Sequence, residues 1–148
     1  MKIALITDTH FGARGDSQTF MNYFMKFYDN VFFPYLEEHN IKTLIHLGDV
    51  VDRRKFINFK ILNDLRTNFV ERLWKMGVDT HIIIGNHDVF YKNTNDLNSL
   101  QEIFTTHEGK VEPWMYSSPK EVDFDGLGIL MMPWINENNY GESMRAIK

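Results

Sequence analysis

The sequence predicts an α/β domain: a parallel sheet with flanking helices, followed by short antiparallel strands near the C-terminus. Three observations lead there. Three short apolar runs, at residues 2–7, 42–47 and 79–84, each end in a polar cluster. Two stretches with helical spacing lie between them. From Lys110 onward the pattern shifts to brief runs that read as strands. Strand, helix, strand, helix, strand implies right-handed crossovers and a parallel sheet buried on both faces.

The first helical stretch covers residues 17–39. Phe20, Phe24, Phe27, Val31 and Leu36 fall near helical spacing, and Ser17 or Asp16 can cap the start. Pro34 predicts a kink or break. The Phe-rich part reads as core or as a face for a second copy. In the second stretch, residues 58–76, Ile61, Leu65, Phe69 and Leu73 repeat every four positions, and Gly77 stops the helix. Residues 111–116, 121–124 and 127–132 read as strands, with a turn at Asp125-Gly126. A further helix starts within residues 136–148. No repeat, low-complexity tract or linker divides the chain, so residues 1–148 belong to one domain.

Composition narrows the function. With 43% apolar and 24% charged residues among 148, a packed core is expected. No run of eighteen apolar residues predicts a membrane span, and Lys2 and Asp8 interrupt the N-terminus too early for a signal peptide. The absence of cysteine rules out disulfides and thiolate metal sites, and fits a reducing cytoplasm. A formal charge of −4 argues against a nucleic-acid binder working through a broad basic surface. It leaves open an enzyme whose acidic site holds cations, because bound metal reverses the local field.

The chemistry sits at the strand ends: Asp8-Thr9-His10-Phe11-Gly12, Gly48-Asp49-Val50-Val51-Asp52-Arg53, and Gly85-Asn86-His87-Asp88. In a parallel α/β sheet these ends share one edge, where ligands bind. Carboxylate, imidazole and amide oxygen without sulfur suit Mn²⁺ first, with Mg²⁺, Fe²⁺ or Zn²⁺ also accommodated. Two such ions roughly 3.5–4 Å apart can hold a phosphate and stabilise both the attacking and the leaving oxygen. The glycines before Asp49 and Asn86 let the backbone turn sharply. Each cluster alone could be an ordinary polar turn; three in this order, each at a strand end, point to a metal site.

These residues resemble the calcineurin-like metallophosphoesterases, whose signature is D-x-H, then G-D-x-x-D, then G-N-H-D or G-N-H-E. The resemblance covers nearly the whole chain. Within that superfamily the chain is similar to the SbcD-type nuclease subunits, particularly the recombination endonuclease subunits of T4-like phages. The single residue between His10 and Gly12 carries this likeness, with the run from Gly85 through Tyr91-Lys92-Asn93, the run 122–126, and Met132-Pro133-Trp134-Ile135. The resemblance implies half of a four-layer α/β/β/α sandwich. It implies that Asp8 and His10 bind one metal, Asp49 bridges, and Asn86 binds the second. His87 would stand beside the scissile phosphate, with Asp88 orienting it and Asp52 supporting a ligand from behind. It also implies DNA as substrate, an ABC-type ATPase with a long coiled coil as partner, and pairing through the early helix. The family completes its site with later histidines and a G-H-x-H motif, whereas only His107 follows His87 here. The expectation is therefore an N-terminal part of the domain, truncated or completed by another chain, that alone binds metal weakly and catalyses poorly.

Other polar residues have blander readings. His46 and His81 lie inside predicted strands and read as core or face residues, and His39 as a helix-end cation. His107 reads as an exposed loop residue. Arg53, Arg54 and Lys55, like Tyr91 and Lys92, are either a solvated rim or contacts to a phosphate backbone. Gly48-Asp49-Val50-Val51-Asp52-Arg53 also resembles the G-D-x-V-D-R of phosphoprotein phosphatases, the alternative enzyme. Against it, Arg54 and Asp88 stand where those enzymes carry Gly and Glu. A third reading is an inactive piece acting only in assembly, through an exposed sheet edge.

Overall fold

Parallel strands must be joined by crossovers long enough to carry a helix, and residues 7–42 and 47–78 each supply a long one. The computed structural model describes residues 1–104 and 113–148. Strands β1 (Ile3–Ile6), β2 (Thr43–His46), β3 (Asp79–Ile83) and β4 (Trp114–Tyr116) form one parallel sheet in that order. Its register aligns Ile6 with His46, His46 with Ile82, and Ile83 with Tyr116, so the strands finish level. Strands β5 (Lys120–Phe124) and β6 (Leu127–Met131) form a separate antiparallel hairpin. Asp125 (φ 52°) and Gly126 (φ 85°) turn it, the twin positive φ of a type I′ turn. Trp114–Tyr116, read from sequence together with the antiparallel segments, instead joins the parallel sheet. Val111 and His107 lie outside the described residues.

The first long helix begins as α1 (Gln18–Phe27), capped by the Ser17 hydroxyl, passes through a π turn at Tyr28–Phe32, and ends as α2 (Phe33–Glu38). Pro34 lacks an N–H and its ring crowds the carbonyl four residues back, so the wider turn falls just before it. The buried face differs from the one the phenylalanine spacing predicts. Met21, Tyr28, Phe33 and Leu36 are buried, whereas Phe20, Phe27 and Val31 are exposed.

The second long helix runs as α3 (Phe59–Asp64), a π turn (Leu65–Val70) and α4 (Glu71–Lys75), capped by Asn58 and stopped by Gly77 at φ 66°. Ile61, Leu65, Phe69 and Leu73 are all buried. On an ideal α-helix a four-residue repeat precesses by about 40° per step; the π turn takes up that drift and keeps the four on one face. They pack with Leu44, Ile82 and Phe11 on one side of the sheet. On the other side Ile45 and Tyr116 meet Phe124 and Met131 of the hairpin. Two short helices, α5 (Ser99–Ile103) and α6 (Tyr140–Ala146), complete the described residues. Among these residues no helix is long and apolar enough to cross a membrane.

At the end of β2, His46 is fully buried and linked on both sides. Gly48 N–H donates to its Nδ1 (3.2 Å), which leaves Nε2–H to meet the Thr9 hydroxyl (3.0 Å), and Thr9 donates onward to the Val50 carbonyl (3.2 Å). Burial pushes the imidazole down to about 4. Since the unfolded ring titrates near 6.5, the folded state favours neutral His46: its contribution is complete above pH 6.5 and is lost as pH falls toward 4. Between pH 7 and pH 4.5, urea unfolding in EDTA should therefore show wild type losing about 2–3 kcal/mol more than His46→Gln does. An equal acid loss in both proteins would contradict this linkage.

Candidate metal centre

The loops after β1 and β2 run side by side. Asp8 N–H donates to Gly48 O (3.2 Å), His10 N–H to Asp49 O (3.1 Å), Phe11 N–H to Val50 O (2.8 Å), and Asp52 N–H back to Phe11 O (3.0 Å). Phe11, buried against Tyr28 and Phe69, anchors the far end of the first loop in the core. The residue that separates His10 from Gly12 is thus a structural bolt.

The third loop is joined to the second through Asp88. Its carboxylate has no exposed surface and accepts four amide hydrogens: Asp49 N–H (2.8 Å) and Gly85 N–H (2.9 Å) on Oδ2, Val50 N–H (2.9 Å) and Val51 N–H (3.2 Å) on Oδ1. Burial pushes its carboxyl up to about 6, opposed by the amides of Gly85, Val51 and Asp49. The side chain read from sequence as orienting His87 thus grips backbone. The loops come so close that a Cβ on Gly85 would sit 2.2 Å from Asp49 N, and one on Gly48, at φ 95°, 2.8 Å from Gly85 Cα. Gly48 does turn the chain at positive φ; Gly85 is needed for close approach.

This stitching gathers the predicted donors. His10 Nε2 lies 3.4 Å from Asp8 Oδ1 and 4.0 Å from Asp49 Oδ2, while its Nδ1 faces Asp52 Oδ1 at 3.4 Å. His87 N–H donates to Asp49 Oδ1 (2.8 Å), and His87 Nδ1 meets the Asp52 carbonyl (2.7 Å). The two imidazoles stand edge to face, 4.9 Å apart. Asp8, His10 and Asp49 present ligand atoms all within 4.8 Å of one another, and so do His10, Asp52 and His87. Asn86 shares an open cleft with Asp8 and Asp49. Hydrogen bonding from the Thr7 hydroxyl, aided by His10, keeps the Asp8 carboxyl below its usual range.

Three features fit this donor set to a divalent cation. Asp8, His10 and Asp49 all hold positive φ (54°, 41° and 55°), each at a cost of order 1–3 kcal/mol, which is tolerated where function over-determines the backbone. Among the described residues no Lys or Arg forms an ion pair with Asp8, Asp49 or Asp52. His10 Nδ1 is buried with no hydrogen bond, close to Asp52 but off the N–H direction. An imidazole ligating through Nε2 and donating Nδ1–H to a carboxylate behind it is a usual arrangement at metals, and here it needs only a small rotation.

The predicted phosphate contacts are less gathered. Arg53 is held by Asp16 (3.2 Å) and lies over Phe56; Arg54 is half-buried with Nη1 unpartnered; Tyr91 and Lys92 are exposed. Sequence reading missed Thr9, whose hydroxyl joins His46 to Val50. It also missed the buried Asn95, Asn136 and Asn139 beside the cleft; their only signal is the density of asparagine between residues 93 and 139.

The profile of the calcineurin-like phosphoesterase family matches residues 1–144. The chain belongs to that family. It is also 33% identical over 148 residues to exonuclease subunit 1 of Enterobacteria phage T4, a match that spans all of this chain and 42% of that protein. The hydrogen bonds above explain the spacing of the three strand-end clusters in this chain. Asp88→Ala should strand four amides and lower stability by about 3 kcal/mol or more, with a smaller loss for Asp88→Asn. Urea unfolding measures both; an unchanged midpoint for Asp88→Ala would rule out the stitching role.

Proposed function

We propose that this chain is the metal-dependent part of a DNA phosphodiesterase, an exonuclease and endonuclease subunit acting in recombination and repair. The observation that carries the reading is the convergence of Asp8, His10 and Asp49 ligand atoms within 4.8 Å on a chain of the phosphoesterase family. Two divalent ions, Mn²⁺ first, would supply positive charge for the phosphate and the departing oxygen. Asp8 and His10 would hold one, Asn86 the other, and Asp49 both. The Asp52 carbonyl holds His87 Nδ1, and the Asp52 carboxylate, 3.4 Å from His10 Nδ1, would accept that N–H once the ring turns. Because His87 Nδ1–H is committed to that carbonyl, its Nε2 is the atom left to hold a proton for the leaving oxygen.

The T4 protein's designation as an exonuclease subunit supports DNA as substrate and a second subunit as partner. The reading includes a coiled-coil ATPase in that role and a cytoplasmic setting. Pairing of two copies through the early helix draws support from its exposed Phe20, Tyr23, Phe27 and Val31. Arg53, spoken for by Asp16, speaks against the phosphoprotein phosphatase alternative.

The test is Mn²⁺-dependent cleavage of labelled linear and single-stranded DNA, with a phosphopeptide in parallel. Asp49→Ala and His87→Ala should each reduce DNA cleavage by about 100-fold or more. Phosphopeptide turnover without DNA cleavage would overturn the nuclease in favour of the phosphatase.

A further inference from the structure

The cleft that Asp8, Asp49 and Asn86 border has a second wall, made by Met132, Pro133, Trp134 and Ile135. Trp134 is held there in an unusual way. Its N–H donates to Ile84 O (2.8 Å), and its carbonyl accepts Asn95 Nδ2 (2.9 Å) and Asn139 Nδ2 (2.9 Å). Asn95 is itself fixed, donating to Ser117 O (3.1 Å) and accepting Asn136 Nδ2 (2.9 Å), and all three asparagines are buried. The backbone is as firmly tied as a sheet strand, yet Trp134 as a residue is 44% exposed, and so is Leu47, which lines the same cleft. Among the described residues Trp134 stacks on no other ring. A large aromatic on a preorganised backbone, facing a cleft and lacking a partner, is the makeup of a binding anchor.

The donors on the opposite wall set the chemistry of the occupant. It must bring a phosphate to the cations that Asp8, Asp49 and Asn86 would hold and, a few bonds away, a flat apolar group for the indole. A nucleotide has both. In a duplex the bases stack inward on one another, so only an unpaired nucleotide offers its face. We infer that Trp134 is the stacking seat for an unpaired nucleobase of the strand whose phosphate enters the Asp8–Asp49–Asn86 cleft. This rests on the phosphodiesterase reading and deepens it: the substrate is a single strand, a flap or a frayed end.

The test is fluorescence-anisotropy binding of labelled oligothymidylate to the 148-residue chain, with Ca²⁺ replacing Mn²⁺ to limit cleavage. A matched oligonucleotide of abasic residues is run beside it. Trp134→Ala should weaken oligothymidylate binding by about tenfold, Trp134→Phe should restore most of it, and the abasic strand should bind weakly and equally to all three. Equal binding of both strands to the wild type, or no effect of Trp134→Ala, would overturn the base seat; the phosphodiesterase reading survives if binding still requires Asp49. Binding of neither strand would overturn both. Loss in Trp134→Phe as complete as in Trp134→Ala would reduce the indole to a structural role, and displacement of the strand by a phosphotyrosine peptide would reassign the cleft.

Discussion

A carboxylate withdrawn from water is costly unless its oxygens find donors, and Asp88 finds four in two separate loops. That exchange fixes where the loop after β2 meets the loop after β3. Asp49 can present its carboxylate to His10 and to His87 N–H only because its own amide is held from behind. Gly48 and Gly85 allow the approach, and His46 with Thr9 ties in the loop after β1. The site is thus built largely on a frame of backbone amides and carbonyls, with the Asp49 carboxylate and the His87 ring adding their own ties between the loops.

The frame also explains where strain is kept. Left-handed φ at Asp8, His10 and Asp49 would be relieved by small backbone shifts if the loops were free. Phe11 in the core at one end and Asp88 at the other prevent it. What results is a cluster of acidic and imidazole groups without a basic partner among the described residues, a state that favours a bound cation over an empty pocket. The stability of the loops and the placing of these donors both depend on one buried residue.

Much of this was legible in the sequence. The parallel sheet followed from three apolar runs separated by helix-length segments, and the motif residues followed from their position at strand ends. The second helix could be read from Ile61 to Leu73, because one buried stripe dominates it. The first helix divides the predicted stripe: Leu36 is buried and Phe24 packs on the core, but Phe20, Phe27 and Val31 are exposed while Met21, Tyr28 and Phe33 fill the interior. A π turn shifts the helical phase midway, which a fixed period does not anticipate. Trp114–Tyr116 is too short for its partner to be read locally; its place beside β3 is set by non-local pairing. The motif named Asp88 but not its task, because spacing gives a carboxylate's neighbourhood and not the direction it points. Asn95 was invisible for a like reason: its hydrogen bonds to Trp134 and Asn136 reach across about forty residues.

The most direct test of the Asp88 frame is Mn²⁺ affinity, measured by electron paramagnetic resonance titration of wild type and a folded Asp88→Asn protein. Asp88 has no exposed surface through which to meet the ion, so any effect must pass through the two loops it joins and the positions of Asp49 and Asn86 on them. The account predicts binding weakened by about 10–100-fold, the range seen when groups behind metal ligands are changed. Unchanged affinity in the folded variant would contradict it, showing that the donors gather without the buried carboxylate.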